Sequence, residues 1–166
     1  MHNYTTTEIH SLALLIFFSI YFLFKLKIFF NFVGHKSLLQ RNRSIKKIKK
    51  LSWEDFECLC MELFEKQGWK VLGNEKKGAD GGVDIWMHKN SITKKKSAIV
   101  QCKRYDEALV TIKVIREMYG LMYEYSVDEA YIVTSNRFTK ECYKFIEKKN
   151  IELIDGKKLL QMIQSL

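Results

Sequence analysis

Apolar positions in residues 51–164 follow a helical period at first and then strand and helical periods in turn. A first helix is predicted between Ser52, whose side chain can cap its start, and Gly68, which ends the run. Strands are predicted at about Lys70–Gly73, Gly82–His88 and Ser97–Lys103, with a turn at Lys94–Lys96 between the last two. Short turns of this kind join antiparallel neighbours.

The second half of this region alternates between strands and helices. Helices are predicted at roughly Ile112–Tyr125, Thr139–Lys149 and Gly156–Ile163, and strands at Ala130–Thr134 and Ile151–Ile154. Strands that are joined through helices run parallel. We therefore expect an α/β fold in which one mixed β-sheet carries helices on both faces.

The N-terminal part of the chain has a third pattern, an almost unbroken apolar run from Ile9 to Phe24 that resumes after Lys25 and Lys27. A helix of about 20 apolar residues spans a bilayer, and lysines at its end can reach the headgroups. A cleaved signal peptide and a buried core helix are the alternatives. No Lys or Arg precedes the run and no small-residue cleavage site follows it, and the run lacks a polar face. We expect residues 9–33 to form one transmembrane helix.

The net charge of +9 is concentrated beside this apolar run. Nine Lys and Arg residues and no acid lie between Lys25 and Lys50, whereas the chain from Leu51 onward has 19 basic and 18 acidic residues. Basic residues that flank a span mark its cytoplasmic side and attract anionic lipid. The alternative interpretation of these residues is that they contact DNA phosphate. We expect a single-pass protein of the cell membrane with its N-terminus outside and its main domain in the cytoplasm.

Three zones follow from these patterns: the anchor at 9–33, a basic juxtamembrane connector at 34–50, and a domain at 51–166. The sequence leaves open whether the connector is a surface-lying amphipathic helix or a flexible tether. Four cysteines, at 58, 60, 102 and 142, have no zinc-site spacing. They fit a reducing compartment and are expected to pack in the interior.

Three polar residues interrupt strands that are otherwise suited to burial. Asp84 follows Gly81-Gly82-Val83, and Gln101 and Lys103 lie on one face at the end of the next strand. A buried charge costs several kcal/mol unless it is paired or holds a metal. An acid, an amide and a lysine that converge on one sheet predict a magnesium-dependent phosphodiesterase site.

The same residues carry a family resemblance. Asp84 followed by Gln101-x-Lys103 resembles the PD-(D/E)xK nuclease superfamily, and more narrowly the Mrr-like type IV restriction endonuclease domain, in which Gln replaces the usual acid. The resemblance continues in order through residues 51–164, in the segments Phe56-Glu57, Gly68–Val71, Ile115–Gly120, Ala130–Ser135 and Ile151–Gly156. It implies a restriction-endonuclease-like sheet preceded here by the transmembrane helix.

The resemblance also implies roles for individual residues. It places an active-site acid at Glu57, so Glu57, Asp84, Gln101 and Lys103 are the candidate catalytic residues. The implied ligands of Mg²⁺ are Asp84, Gln101, Glu57 and the backbone carbonyl of Cys102. Lys103 is expected to orient the attacking water and to stabilise charge on the transition state. Asp80 lies in the glycine-rich turn, where either backbone hydrogen bonding or contact with metal or substrate is open.

The predicted function is that of a membrane-anchored, Mg²⁺-dependent endodeoxyribonuclease that hydrolyses phosphodiester bonds in defence against foreign or modified DNA. Cutting both strands needs two active sites, so a homodimer or a membrane cluster is expected beside DNA and membrane lipid as partners. A defence-system partner protein that triggers activity is a further expectation. The alternative is a catalytically silent nuclease fold that acts as a DNA-binding or membrane-assembly module.

Overall fold

The computed structural model describes residues 38–72, 82–90 and 95–166 of the chain, and Leu38–Leu166 form one compact unit. Five helices and five strands have defined bounds in these residues. They are α1 (Ile45–Lys49), α2 (Trp53–Lys66), β1 (Lys70–Leu72), β2 (Ile85–Asn90), β3 (Lys95–Lys103), α3 (Ile112–Glu124), β4 (Glu129–Thr134), α4 (Lys140–Ile146), β5 (Ile151–Ile154) and α5 (Gly156–Gln164).

The strands form one five-stranded sheet in the order β1-β2-β3-β4-β5. The first three are antiparallel neighbours, whereas β3, β4 and β5 run parallel, with Gln101 beside Ile132 and Lys103 beside Thr134. The longest strand, β3, lies at the centre, and its C-terminal half is almost wholly buried. The predicted mixed sheet is therefore confirmed.

Helices cover both faces of this sheet, as predicted, because its strands present apolar side chains in both directions. One face packs Val100 and Val133 against α1, α2 and α5 through residues such as Phe56 and Leu159. The other face packs Ile99 and Ile132 against α3 and α4, with the buried side chains Ile115 and Cys142. Two apolar layers thus hold the strand that carries the candidate site residues.

Residues 38–50 belong to the compact unit, although the sequence assigned them to the connector and began the domain at Leu51. Leu39 and Ile48 are 5% and 0% exposed and lie in the core beside α2 and α5. Ser44 caps α1, and the Arg43 guanidinium donates to the Gln164 carbonyl at 3.1 Å. This part of the connector is helical and packed rather than a tether.

Three predicted element bounds were wrong. Lys95 and Lys96 belong to β3 rather than to a turn, since they pair with Asn90 and Lys89 of β2. The strand predicted from Gly82 begins at Ile85, and the helix predicted to Lys149 ends at Ile146. Lys148 has a φ of 64°, which reverses the chain into β5.

No helix in residues 38–72, 82–90 or 95–166 is long and apolar enough to cross a membrane. The predicted anchor at residues 9–33 lies outside these ranges, as does the start of the basic connector.

Candidate active site

Asp84 lies where β2 and β3 separate. The antiparallel ladder ends at the Ile85–Val100 pair, and the Asp84 N–H donates to the Val100 carbonyl at 2.9 Å. Beyond that pair the Cys102 N–H donates to Asp84 Oδ2, at 2.6 Å, rather than to a strand carbonyl. The Asp84 carboxyl thus takes the place of a strand carbonyl as the acceptor, one residue before β2 begins. We call this end of the sheet, where β2 and β3 separate at Asp84, the carboxyl corner.

Glu57 reaches this corner from α2. Ser52 accepts the Asp55 N–H at 3.0 Å and so fixes the start of this helix, while Phe56, 0% exposed, anchors its first turn against the sheet. The side chain of Glu57 shares a hydrogen bond with Asp84. Two carboxyl groups can form such a bond only when one of them holds a proton.

The pKa of Asp84 is raised above its ordinary value, mainly because burial disfavours the charged form. Three neighbours oppose this: the Cys102 N–H, the charge of Lys103 and the hydrogen bond with Glu57, each of which lowers the pKa. The structure therefore brings Glu57, Asp84 and Lys103 together. Lys103 is the last residue of β3, and its carbonyl accepts the Thr134 hydroxyl at 2.8 Å, which fixes the strand end.

Gln101 lies across from Asp84, one position beyond the last ladder pair, and is 2% exposed. Its Nε2 lies 2.7 Å from the position that a Cβ on Gly82 would occupy, and Gly82 has a φ of 101°. Only glycine suits this position, because a side chain would be strained and would displace the amide. Within the described residues, Gln101 Oε1 is buried and accepts no hydrogen bond.

Glu117 is a carboxylate near the site that the sequence did not single out. Its Oε1 lies 3.5 Å from the same point above Gly82, so it approaches the amide of Gln101 from α3. Glu117 lies in the Ile115–Gly120 segment, which is part of the family resemblance, and this position was the feature of the sequence that could have pointed to it.

Cys102 points away from Gln101 and Lys103, into the core between β3 and α2. A hydrogen bond with Cys60 and full burial raise the pKa of its thiol well above the ordinary value. A neutral thiol is a poor metal ligand, so only the backbone carbonyl of Cys102 remains a candidate. All four cysteines are free thiols; Cys60, Cys102 and Cys142 are buried, and Cys58 is partly buried.

The groups at this corner fit a hard divalent cation. The repulsion between two adjoining carboxyl groups is reduced by either a proton or a cation. The buried Gln101 Oε1 accepts no hydrogen bond from the described residues and could act as an oxygen ligand. Glu57, Asp84 and Gln101 would hold the ion. Residues 38–72, 82–90 and 95–166 contain no cluster of three or more His, Cys, Asp or Glu side chains that could hold a metal ion. Asp80 lies outside those ranges.

The architecture is that of the restriction endonucleases. The DNA modification-dependent restriction endonuclease AspBHI matches with a TM-score of 0.61 at 14% identity, over 80% of this chain and 35% of that one. A protein of unknown function, AF1548, matches with a TM-score of 0.51 at 16% identity, over 65% of this chain and 64% of that one. This chain thus spans less than two thirds of either protein, and at such identities the likeness shows the fold.

Residues 48–163 match the Mrr_cat family of restriction endonucleases. The match takes in more than half of the chain and every candidate site residue, so the chain belongs to this family of endodeoxyribonucleases. Its nucleases generally use divalent metal ions. No curated protein sequence matches the chain.

Proposed function

We propose that this protein is a Mg²⁺-dependent DNA endonuclease that is anchored in the cell membrane and acts on foreign or modified DNA. The observation that carries the nuclease proposal is the hydrogen-bonded carboxyl pair of Glu57 and Asp84 beside Lys103. Buried carboxyls whose pKa is shifted beside a specific charged partner are concentrated at functional sites, and Asp84 beside Lys103 is such a group. The family membership supports the same chemistry.

The residues divide the work of phosphodiester hydrolysis between them. A divalent cation would polarise the phosphate and activate a water molecule. Asp84 and Glu57 would supply the negative charge that holds the ion. Gln101 contributes a neutral oxygen ligand. The ammonium group of Lys103 stabilises the charge that develops on the phosphate oxygens and positions the attacking water.

Cleavage of supercoiled plasmid by the full chain tests this proposal. Wild type is expected to convert plasmid to nicked and linear DNA with Mg²⁺ and not with EDTA. Asp84→Ala and Lys103→Ala are each expected to lower the rate at least 100-fold, and Lys70→Ala, an exposed lysine on β1 beside His88, is the matched control. Wild-type rates in either site variant would reject the assignment of these residues.

A catalytically silent DNA-binding or membrane-assembly module is the second candidate. The observation that favours it is that ranges 38–72, 82–90 and 95–166 contain no three clustered His, Cys, Asp or Glu residues for a metal. Gln101 in place of an acid lowers the charge of the site further. Wild type that binds DNA but leaves plasmid intact at every Mg²⁺ concentration would support this candidate.

The membrane anchor rests on the sequence of residues 9–33 and on the basic residues that follow. Membrane fractionation with a carbonate wash, followed by protease treatment of spheroplasts, tests it. The chain is expected to stay with the membrane and to be protected from external protease. A homodimer or membrane cluster, and a defence partner that triggers the nuclease, belong to the same proposal; crosslinking in the native membrane tests both.

A further inference from the structure

A groove of about 680 Å³ lies between α1, the start of α2 and the segment after β3. We call it the basic groove; its charged lining is Lys46, Lys49, Lys50, Arg104 and Asp106. Four cations thus face one carboxylate. Because residues 38–50 fold into the compact unit, Leu38–Leu166 hold 25 basic and 18 acidic residues, and the groove carries three of the seven excess positive charges.

The cations of the basic groove are positioned by the fold. Arg104 Nη1 donates to the Lys49 carbonyl at 3.0 Å and to Asp106 Oδ1 at 3.1 Å. Lys49 Nζ donates to the Asp106 carbonyl at 2.5 Å. Arg104 Nε is buried, but the side chain as a whole is 29% exposed, so part of the guanidinium remains open to an anion in the groove.

Two elements connect the basic groove to the candidate active site. Arg104 directly follows Lys103 at the end of β3, and Ser52 in the groove wall caps the helix that carries Glu57. Five helical residues rise about 7.5 Å along the axis, so Ser52 in the groove wall lies about two nucleotide rises from the backbone of Glu57. The groove thus adjoins both the strand end and the helix that carry candidate site residues.

We propose that the basic groove binds phosphates of the DNA strand next to the bond that is cut. The proposal rests on the proposed nuclease function and names the surface that holds its substrate. Lys46 and Lys50 are one helical turn apart, about 6 Å, which is close to the rise of two nucleotides along one strand. Arg104 and Lys49 fix the strand at the end nearer Lys103.

Anionic lipid is the other polyanion that basic residues beside a membrane attract. The groove is concave, and one of its walls is the segment that follows the catalytic strand. If that wall lay on headgroups, the membrane would cover the carboxyl corner and exclude duplex DNA. The position of Arg104 beside Lys103 thus favours DNA as the occupant.

DNA binding by the full chain in nonionic detergent, measured by fluorescence anisotropy in EDTA, tests the proposal without cleavage. The test variant combines Lys46→Ala on α1 with Lys50→Ala at its C-cap, and both side chains are exposed. The control combines Lys70→Ala with Lys95→Ala, which removes the same charge from exposed positions on β1 and at the far end of β3. The unfolding midpoint of each variant shows whether its fold is intact. A Lys46→Arg, Lys50→Arg variant, which keeps the charge, shows whether charge is what the binding requires.

At about 0.1 M salt each lost phosphate contact is expected to weaken binding about eightfold, and the pair about 60-fold. The slope of log K against log salt should fall by about 2 in the test variant and stay unchanged in the control, and the arginine variant should bind like wild type. Equal effects in test and control variants would overturn the proposal. So would a test variant that loses only its binding to phosphatidylserine vesicles. If only the test variant loses DNA binding and the wild type does not cleave plasmid in Mg²⁺, the groove is a DNA-binding surface but the proposed nuclease function is wrong.

Discussion

Ile48→Ala tests whether the basic segment is part of the nuclease domain. The side chain is 0% exposed and belongs to the core cluster that includes Leu59 and Leu159. Truncation of a buried Ile to Ala costs about 2–5 kcal/mol, and less where the surroundings can collapse. Because α1 has only five residues, we expect partial collapse and a loss of about 2–3 kcal/mol in the free energy of unfolding.

Urea unfolding of the full chain in detergent, followed by tryptophan fluorescence, measures this loss. Trp69 lies in the same core cluster and reports on it. Lys46→Ala is the matched control, because it changes an exposed residue of the same helix and should stay within about 0.5 kcal/mol of wild type. If Ile48→Ala is as stable as the control, residues 38–50 do not pack on the sheet and the basic groove does not exist as described.

Three further predictions concern the carboxyl corner. Glu57→Gln should raise the Mg²⁺ concentration for half-maximal cleavage about tenfold because the site loses an anionic ligand; an unchanged metal titration would make Glu57 a structural residue. Asp84→Asn should raise the metal-free unfolding free energy at neutral pH. The folded-state pKa of Asp84 is raised, so ionisation costs stability as the pH rises past the ordinary Asp value. Urea titrations should show the gain vanish at lower pH, and a gain that persists there would contradict this origin. Gly82→Ala should lower cleavage at least tenfold with folding retained, because its Cβ would displace the Gln101 amide; wild-type cleavage would refute that contact.

The sheet could be predicted from sequence because its strands are apolar runs whose connections differ in length. Short links imply antiparallel pairs and helical links imply parallel ones, and both implications hold for β2–β3 and β3–β4. Element ends were less predictable. Lys95 and Lys96 look like a turn, yet pairing with Lys89 and Asn90 of β2 extends β3 through both residues. The helical spacing of Ile45 and Ile48 allowed an amphipathic helix in the connector, but it could not show that Ile48 packs in the core of the domain.

The site could be predicted only as a set of residue types. Asp84 and Lys103 were visible as polar residues in buried strands, and Glu57 came from the resemblance. The sequence does not reveal that Asp84 replaces a ladder acceptor for Cys102, since this depends on where two strands separate. Only its place in the Ile115–Gly120 segment distinguished Glu117 from other helix-surface acids, because its proximity to Gln101 arises from the packing of α3 on the sheet.

The location of a bound Mn²⁺ ion in crystals of the protein tests the metal centre most directly. Mn²⁺ prefers the same oxygen ligands as Mg²⁺ and gives an anomalous signal that identifies it. We predict a peak within about 2.0–2.3 Å of the Asp84 carboxylate and the Gln101 Oε1 atom, with Glu57 in its coordination shell. A peak elsewhere, or a carboxyl pair that keeps its shared hydrogen bond at saturating Mn²⁺, would contradict the account.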